Sequence, residues 1–144
     1  MEEKTIRNGS TLILPVNVQG AYLYIGDGHA AQGDGELTGD AMETSMSVTF
    51  RVELLRYYGQ ECPRVTHADG IKSIGIAGSL DQAMRMATTD LTRWLISDYK
   101  LTDNEAAMVM GFSAVYGIPD LVGENISVSV GVNKAVLDSL KKNE

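Results

Sequence analysis

The sequence predicts an α+β fold: a mostly antiparallel, β-rich N-terminal half, then two main helices, a late strand and a short C-terminal helix. Three observations carry this reading. In TSMSVTFRVELL, Met46, Val48, Phe50, Val52 and Leu54 alternate with Ser47, Thr49, Arg51 and Glu53. A period of two with one apolar face is a half-buried strand. Later, two capping boxes, Ser79–Gln82 and Thr102–Glu105, each open a helical run. Finally, alternation returns in NISVSVGV (Asn125–Val132). Strands grouped ahead of helices indicate α+β rather than a repeating βαβ unit.

The elements follow in order. TLILPVNV (Thr11–Val18) is β-rich, but Pro15 demotes it to an edge or bulged strand. GAYLYIGD (Gly20–Asp27) is a second strand, and residues 46–54 form the clearest one. YGQECP is a loop. RVTHAD and GIKSIGIA are two short strands with a turn near Asp69-Gly70. Leu80, Ala83, Met84, Ala87, Leu91, Trp94 and Leu95 then keep helical spacing, so a long amphipathic helix runs to about Lys100. The second helix passes through AAMVMGFSAV and ends near Tyr116-Gly117-Ile118-Pro119. KAVLDSLKK closes the chain as a short helix, and KKNE frays.

At 144 residues, with no repeat and no linker, the chain reads as a single domain spanning 1–144. A net charge of −7 disfavours nucleic acid and an anionic membrane surface, both of which need a basic face. No apolar run approaches the roughly 20 residues of a membrane span. One cysteine, Cys62, precludes an intrachain disulfide. With no signal-peptide pattern at MEEKTIRNGS, the expectation is a cytoplasmic protein.

The stretch IGDGHAAQGDGE (Ile25–Glu36) stands apart. If AYLYIGDGH stays extended, Ala21, Leu23, Ile25, Asp27 and His29 share a face that starts apolar and ends in a carboxylate and an imidazole. Asp27 and His29 are therefore candidate zinc-type ligands. Asp34, Glu36, Asp40 and Glu43 follow, making five carboxylates around one histidine with Asp27. Gly-Asp-Gly is also good turn chemistry and by itself bland. Crowding so many like charges costs stability unless a cation or hydrogen bonds offset it. That cost points to a divalent metal.

Other residues carry less. His67 reads as a hydrogen-bonded surface histidine. Cys62 has no neighbouring histidine or helix start to activate it. Met84, Met86, Met108, Met110 and Trp94 read as core. GxGxxG, GxxxxGK[ST] and GxSxG patterns are absent.

GDGHAAQGDGE (Gly26–Glu36) resembles the signature of the acetamidase/formamidase family, in which a strand ending G-D-x-H leads into A-x-Q-G-D-G-E. LPVNVQGAYLYIGD resembles the strand entering that motif, and LTGDAMETSMSVTFRVEL the strand leaving it, with Glu43 at a recurring acid position. IGIAGSLDQAMRMATTDLTRWL, LTDNEAAMVMGFSAVYGIPDLV and VNKAVL resemble later segments. The chain resembles the family's C-terminal half. The family's N-terminal half, with its histidine and Asn-Gly-Gly-Asn-type segments, is not matched, and SVSVGVN departs from a Val-Asp-rich strand motif.

The resemblance implies hydrolysis of small aliphatic amides to carboxylate and ammonia. Hydrolysing an unactivated amide needs a nucleophile, a polarised carbonyl and a proton for the departing amine, so the expected roles are His29 and Asp27 as metal ligands with Glu43 as a third, Glu36 or Asp34 as general base, and Gln32 as the residue orienting the amide. The metal expected is zinc, with calcium as the alternative. The partners expected are a small amide, and either further copies of the chain or a separate N-terminal half. The competing functions are a non-enzymatic domain that binds a divalent cation and an assembly subunit.

Overall fold

The computed structural model describes residues 2–56 and 58–140. The expected fraying of KKNE lies outside them. Among the described residues, seven strands form two sheets. They are β1 (Thr11–Ile13), β2 (His29–Ala31), β3 (Met42–Glu43), β4 (Arg64–His67), β5 (Gly70–Ala77), β6 (Val115–Asp120) and β7 (Ile126–Asn133). The larger sheet has the order β1-β4-β5-β7-β6, and all its pairings are antiparallel. The smaller joins β2 to β3. The helices are α1 (Leu80–Tyr99), α2 (Asp103–Ser113) and α3 (Lys134–Leu140). The α+β class and the antiparallel sheet are as the sequence reading had them.

Local chemistry explains the helices. Ser79 caps α1 by accepting from the Gln82 amide, and α1 stops at Lys100, whose φ of 58° breaks the helical geometry. Thr102 and Glu105 form a complete reciprocal capping box at α2. The β4–β5 hairpin turns where Asp69-Gly70 placed it, with His67 opposite Gly70.

The core lies between one sheet face and the helices. Directly opposed residues share a face, so Ile71, Ser73 and Gly75 lie beside Val132, Val130 and Val128. Ile71, Val130 and Val132 join Ala87, Leu91, Trp94, Leu95, Ala106, Val109 and Leu137 in one cluster. On the opposite face, buried Glu3 bonds to Lys72, so the N-terminal segment covers that side. Gly75 lies directly beneath α1. A Cβ there would stand 1.9 Å from the Ala83 carbonyl oxygen and 2.8 Å from the Ala87 nitrogen. Both are backbone atoms, so the helix itself would have to move. Gly75→Ala is therefore expected to cost about 1–3 kcal/mol or more, read as a lower urea midpoint.

Four elements differ from the sequence reading. The first strand covers only Thr11–Ile13 and stops short of Pro15, which has no amide proton for a ladder. Residues 20–27 and 46–54 enter no ladder, and their large apolar side chains are exposed. Their alternation specifies a face to bury, and among the described residues nothing covers it. The second helix ends at Ser113, and Val115–Asp120 is an edge strand rather than a helix end. Its ladder with β7 is interrupted between Gly117 and Asp120, which accommodates Pro119 at an edge.

Candidate active site and metal centre

The site is built where the small sheet begins. Pairing of β2 with β3 sets His29 directly opposite Glu43. The Thr44 amide donates to the Gly28 carbonyl at 2.8 Å and holds the two segments together. A short 3-10 turn, Asp34–Glu36, then returns the chain beneath the imidazole. The Leu121 amide donates to the Gly35 carbonyl at 2.9 Å, tying that turn to the end of β6. Gly35 has φ 79°, and a Cβ on it would meet the Leu121 side chain at 2.7 Å, so only glycine fits.

Three carboxylates converge on one ring nitrogen. His29 Nε2 lies 3.1 Å from Asp27 Oδ1, 3.1 Å from Glu43 Oε1 and 3.8 Å from Glu36 Oε1. Its Nδ1 lies 3.4 Å from Gln32 Oε1. Gln32 is itself fixed, because its amide nitrogen donates to the carbonyls of Glu2 and Pro119. An Nδ1–H donated to Gln32 leaves the Nε2 lone pair facing the carboxylates, the tautomer a metal ligand needs.

The electrostatics agree with a cation-seeking cluster. Burial pulls the His29 pKa down, but hydrogen bonds to Gln32 and Asp27 and the charges of Glu43 and Asp27 outweigh it, so the net shift is upward. Burial pushes the Glu36 carboxyl up, and so does Glu2; the His29 charge opposes this, and Asp27 and Glu43 add to it. Backbone geometry marks the same residues. Asp27 has φ 62° and Glu36 φ 45°, left-handed conformations that non-glycine residues adopt at a cost. Among the described residues the only other non-glycine positive φ is at Lys100, the helix cap.

Of the residues singled out by sequence, the structure brings together Asp27, His29, Glu36 and Glu43, with Gln32 behind the ring. Asp34 lies apart, with its side chain exposed and paired with Lys4 at 2.5 Å. Asp40 offers no ligand atom to either candidate metal-binding group. Glu2 was missed. Its carboxylate can group with Asp27 and His29, all ligand atoms lying within 4.8 Å of one another. Its place in MEEK reads only as a charged terminus, and a contact across some 25 residues has no local signal. An open cavity of about 520 Å³ adjoins Glu2, Asp27, Glu36, Thr38 and Asp120, room for a small solute beside the acids. Cys62 is buried and its thiol is pushed up to about 11, chiefly by burial and the Asp90 charge, so it is no nucleophile.

The cluster can be compared with what a metal requires. Ligands about 2.1 Å from a tetrahedral ion stand roughly 3.4 Å from one another. The separations of 3.1, 3.1 and 3.8 Å from His29 Nε2 straddle that spacing, and mutual distances within 4.8 Å form two groups, Glu2–Asp27–His29 and His29–Glu36–Glu43, each with one imidazole nitrogen and two carboxylates. The residues fit a divalent cation.

The model of the acetamidase/formamidase family matches residues 1–76, which include the whole cluster. The chain belongs to that family. A Schizosaccharomyces pombe protein that carries the name formamidase is 44% identical over 54 residues, covering 37% of this chain and 13% of its own. The acetamidase of Yersinia enterocolitica matches 95% of this chain with a TM-score of 0.89 and 36% identity. The acetamidase of Bacillus halodurans matches 98% with a TM-score of 0.86 and 28% identity. The family likeness thus reaches past residue 76 into the helices and β7. This chain spans 42% and 48% of those two chains, less than half of either. No helix among the described residues is long and apolar enough to cross a membrane.

Proposed function

We propose that this acetamidase/formamidase-family chain carries the metal-binding and acid–base groups of an amidohydrolase acting on small linear amides, acetamide and formamide being the simplest. The observation that carries the reading is the convergence of Asp27, Glu43 and Glu36 on His29 Nε2. His29 would hold a zinc-type cation with Asp27 and Glu43, each 3.1 Å from its Nε2, and mutual distances group Asp27 with Glu2 and Glu43 with Glu36 around that nitrogen. When bound, such a cation supplies Lewis acidity and lowers the pKa of water. The chain's own groups do the rest. Glu36, the most buried of these acids and raised in pKa, takes a proton from the attacking water and returns it to the departing nitrogen. Gln32 fixes the tautomer and plane of His29; both ends of its amide are occupied by protein, so positioning replaces the substrate-orienting role expected of it from the sequence. Asp34, held by Lys4, serves the turn rather than the proton transfer. The single, buried cysteine accords with a cytoplasmic location.

An imidazole at the centre favours zinc over calcium, which prefers oxygen donors alone. The test is elemental analysis of the purified chain beside His29→Ala, followed by ammonia release from acetamide and formamide. The expected result is about one zinc per chain in the wild type and a loss of about 10–100-fold in affinity or more in the variant. Calcium retained equally by both proteins would overturn the reading in favour of a non-enzymatic cation-binding domain.

A further inference from the structure

Glu2-Glu3-Lys4 carries three charges in a row, and each side chain has its own destination. Glu2 groups with Asp27 and His29 in the site. Lys4 reaches Asp34 on the 3-10 turn at 2.5 Å. Glu3 goes into the sheet, with its side chain 2% exposed. There its Oε1 accepts from the Thr5 amide at 3.0 Å and from the Thr5 hydroxyl at 2.6 Å. Lys72 of β5 donates to the same oxygen at 3.4 Å. The Glu3 carbonyl in turn accepts from the Ile6 amide at 3.0 Å. Burial pushes the Glu3 carboxyl up, but the Thr5 bonds, the Lys72 charge and the Ser129 hydroxyl outweigh it and hold it below its ordinary value. Glu3 is therefore a buried, ionised anchor. Such a pair is a poor source of net stability, so its use lies in the geometry it fixes.

That geometry ends on Gln32. Its amide nitrogen donates to the Glu2 carbonyl at 3.2 Å and to the Pro119 carbonyl at 3.1 Å. A side-chain amide has one donor end and one acceptor end. Two carbonyls at one end require the nitrogen there, which leaves Oε1 for His29, 3.4 Å from Nδ1. With the amide reversed, an oxygen would face two carbonyls, and His29 would meet a donor at Nδ1. Its proton would then sit on Nε2, the nitrogen that faces Asp27 and Glu43. The two carbonyls are held differently. Pro119 belongs to β6. Glu2 lies in no helix or strand, and its carbonyl is joined directly to the Glu3 nitrogen. Anchoring of Glu3 thus decides whether Gln32 has two acceptors or one. Resting on the reading above that Nε2 is a ligand atom, we infer that Glu3, held by Thr5 and Lys72, is a positioning residue of the metal centre. Through the Glu2 carbonyl and Gln32 it keeps a proton on His29 Nδ1 and the Nε2 lone pair turned to the ligand cluster.

The two histidines of the chain allow a direct test. His67 Nδ1 accepts from the Asp69 amide at 3.1 Å, so a neutral His67 carries its proton on Nε2, the reverse of His29. NMR of the metal-free protein with isotope-labelled histidine is compared in wild type, Glu3→Ala and Glu3→Gln. The wild type should show a His29 Nδ1–H protected from exchange. In Glu3→Ala that proton should exchange about tenfold faster, the scale of one lost hydrogen bond. Glu3→Gln keeps the length and an acceptor for Thr5, so it should restore the protection, and the His67 signals should be the same in all three. In zinc competition, Glu3→Ala should lose about 10–100-fold in affinity and Glu3→Gln should recover it. If Glu3→Ala unfolds, shown by loss of the His67 signals as well, Glu3→Asp takes its place. It keeps the charge one methylene short of Thr5 and should give the same two changes. An unprotected Nδ1 in the wild type would overturn the inference, as would unchanged His29 exchange in a folded variant. Neither readout uses turnover. A wild type that takes up no zinc would sink the metal-centre reading, while the His29 signals would still decide the role of Glu3.

Discussion

Asp90→Ala is expected to lower stability by about 3–5 kcal/mol, a large share of the roughly 5–15 kcal/mol a domain possesses. Asp90 lies on α1 with its side chain 4% exposed, and Arg64 on β4 with 6%. Arg64 Nε donates to Asp90 Oδ2 at 2.7 Å and Nη2 to Oδ1 at 3.0 Å, a bidentate pair. Ser73 on β5 donates to the same carboxylate at 2.7 Å. The guanidinium stands 4.9 Å from the Trp94 ring and 5.6 Å from that of Tyr58. Removing the carboxylate leaves a buried cation between two aromatic rings and a buried hydroxyl without its acceptor. The damage comes from that residue of unpaired charge rather than from the worth of the pair, so the double variant Arg64→Met, Asp90→Leu should recover most of it. Urea unfolding of the three proteins checks this. A loss below about 1 kcal/mol in Asp90→Ala would mean that water reaches the guanidinium, as in surface pairs.

That network marks a limit of what the sequence showed. Trp94 read correctly as a core residue, but nothing in RVTH or TTDL announces that Arg64 and Asp90 meet, since they sit 26 residues apart. The helices were legible because their signals are local: Ser79 and Thr102 each satisfy an amide three residues on. β7 was legible because Val128 and Val130 alternate against buried serines. β6 was missed because apolar residues continue from α2 into Val115 with only Gly111 and Ser113 between them, and Gly117 and Pro119 read equally as a helix stop. Residues 46–54 show the reverse case. Their period of two states that a face is to be buried, but not against what. The site was half legible for a related reason. Alternation put Asp27 and His29 on one face, and they do meet, but through a left-handed Asp27 rather than an extended one. Glu36 and Asp34 are indistinguishable by spacing. The 3-10 turn separates them, sending Glu36 beneath the imidazole and Asp34 out to Lys4.

Glu36→Gln is expected to reduce amide hydrolysis by about 10²–10⁴-fold in kcat, the usual worth of a positioned base, while raising the stability of the metal-free protein. The two effects have one cause. The Glu36 pKa is raised in the folded state above its ordinary 4.5, through burial and the charges of Glu2, Asp27 and Glu43. A carboxyl with a raised folded pKa destabilises the fold once it ionises, so its cost is fully present above that folded pKa and vanishes below about 4.5, where folded and unfolded forms are both protonated. Glutamine keeps the shape without the charge. In chelator at pH 7 the variant should therefore melt above the wild type, and the gap should close as the pH falls towards 4.5. His29 modifies the size of the gap but not its sign. Its raised pKa means that its proton stabilises the fold below about 6.5 and that this contribution is lost as the pH rises through the folded value. With the imidazole neutral, Glu36 loses the charge that partly offset its repulsion from the other acids, so the advantage of glutamine should be larger at pH 8 than at pH 6. Restoring a divalent cation should shrink it again, because the cation neutralises Asp27 and Glu43 as well. Melting curves with chelator and with zinc, beside ammonia release from acetamide, separate the outcomes. A variant that loses activity and stability together would make Glu36 a structural residue of the turn. A variant that gains stability and keeps activity would move the base to another of the clustered acids.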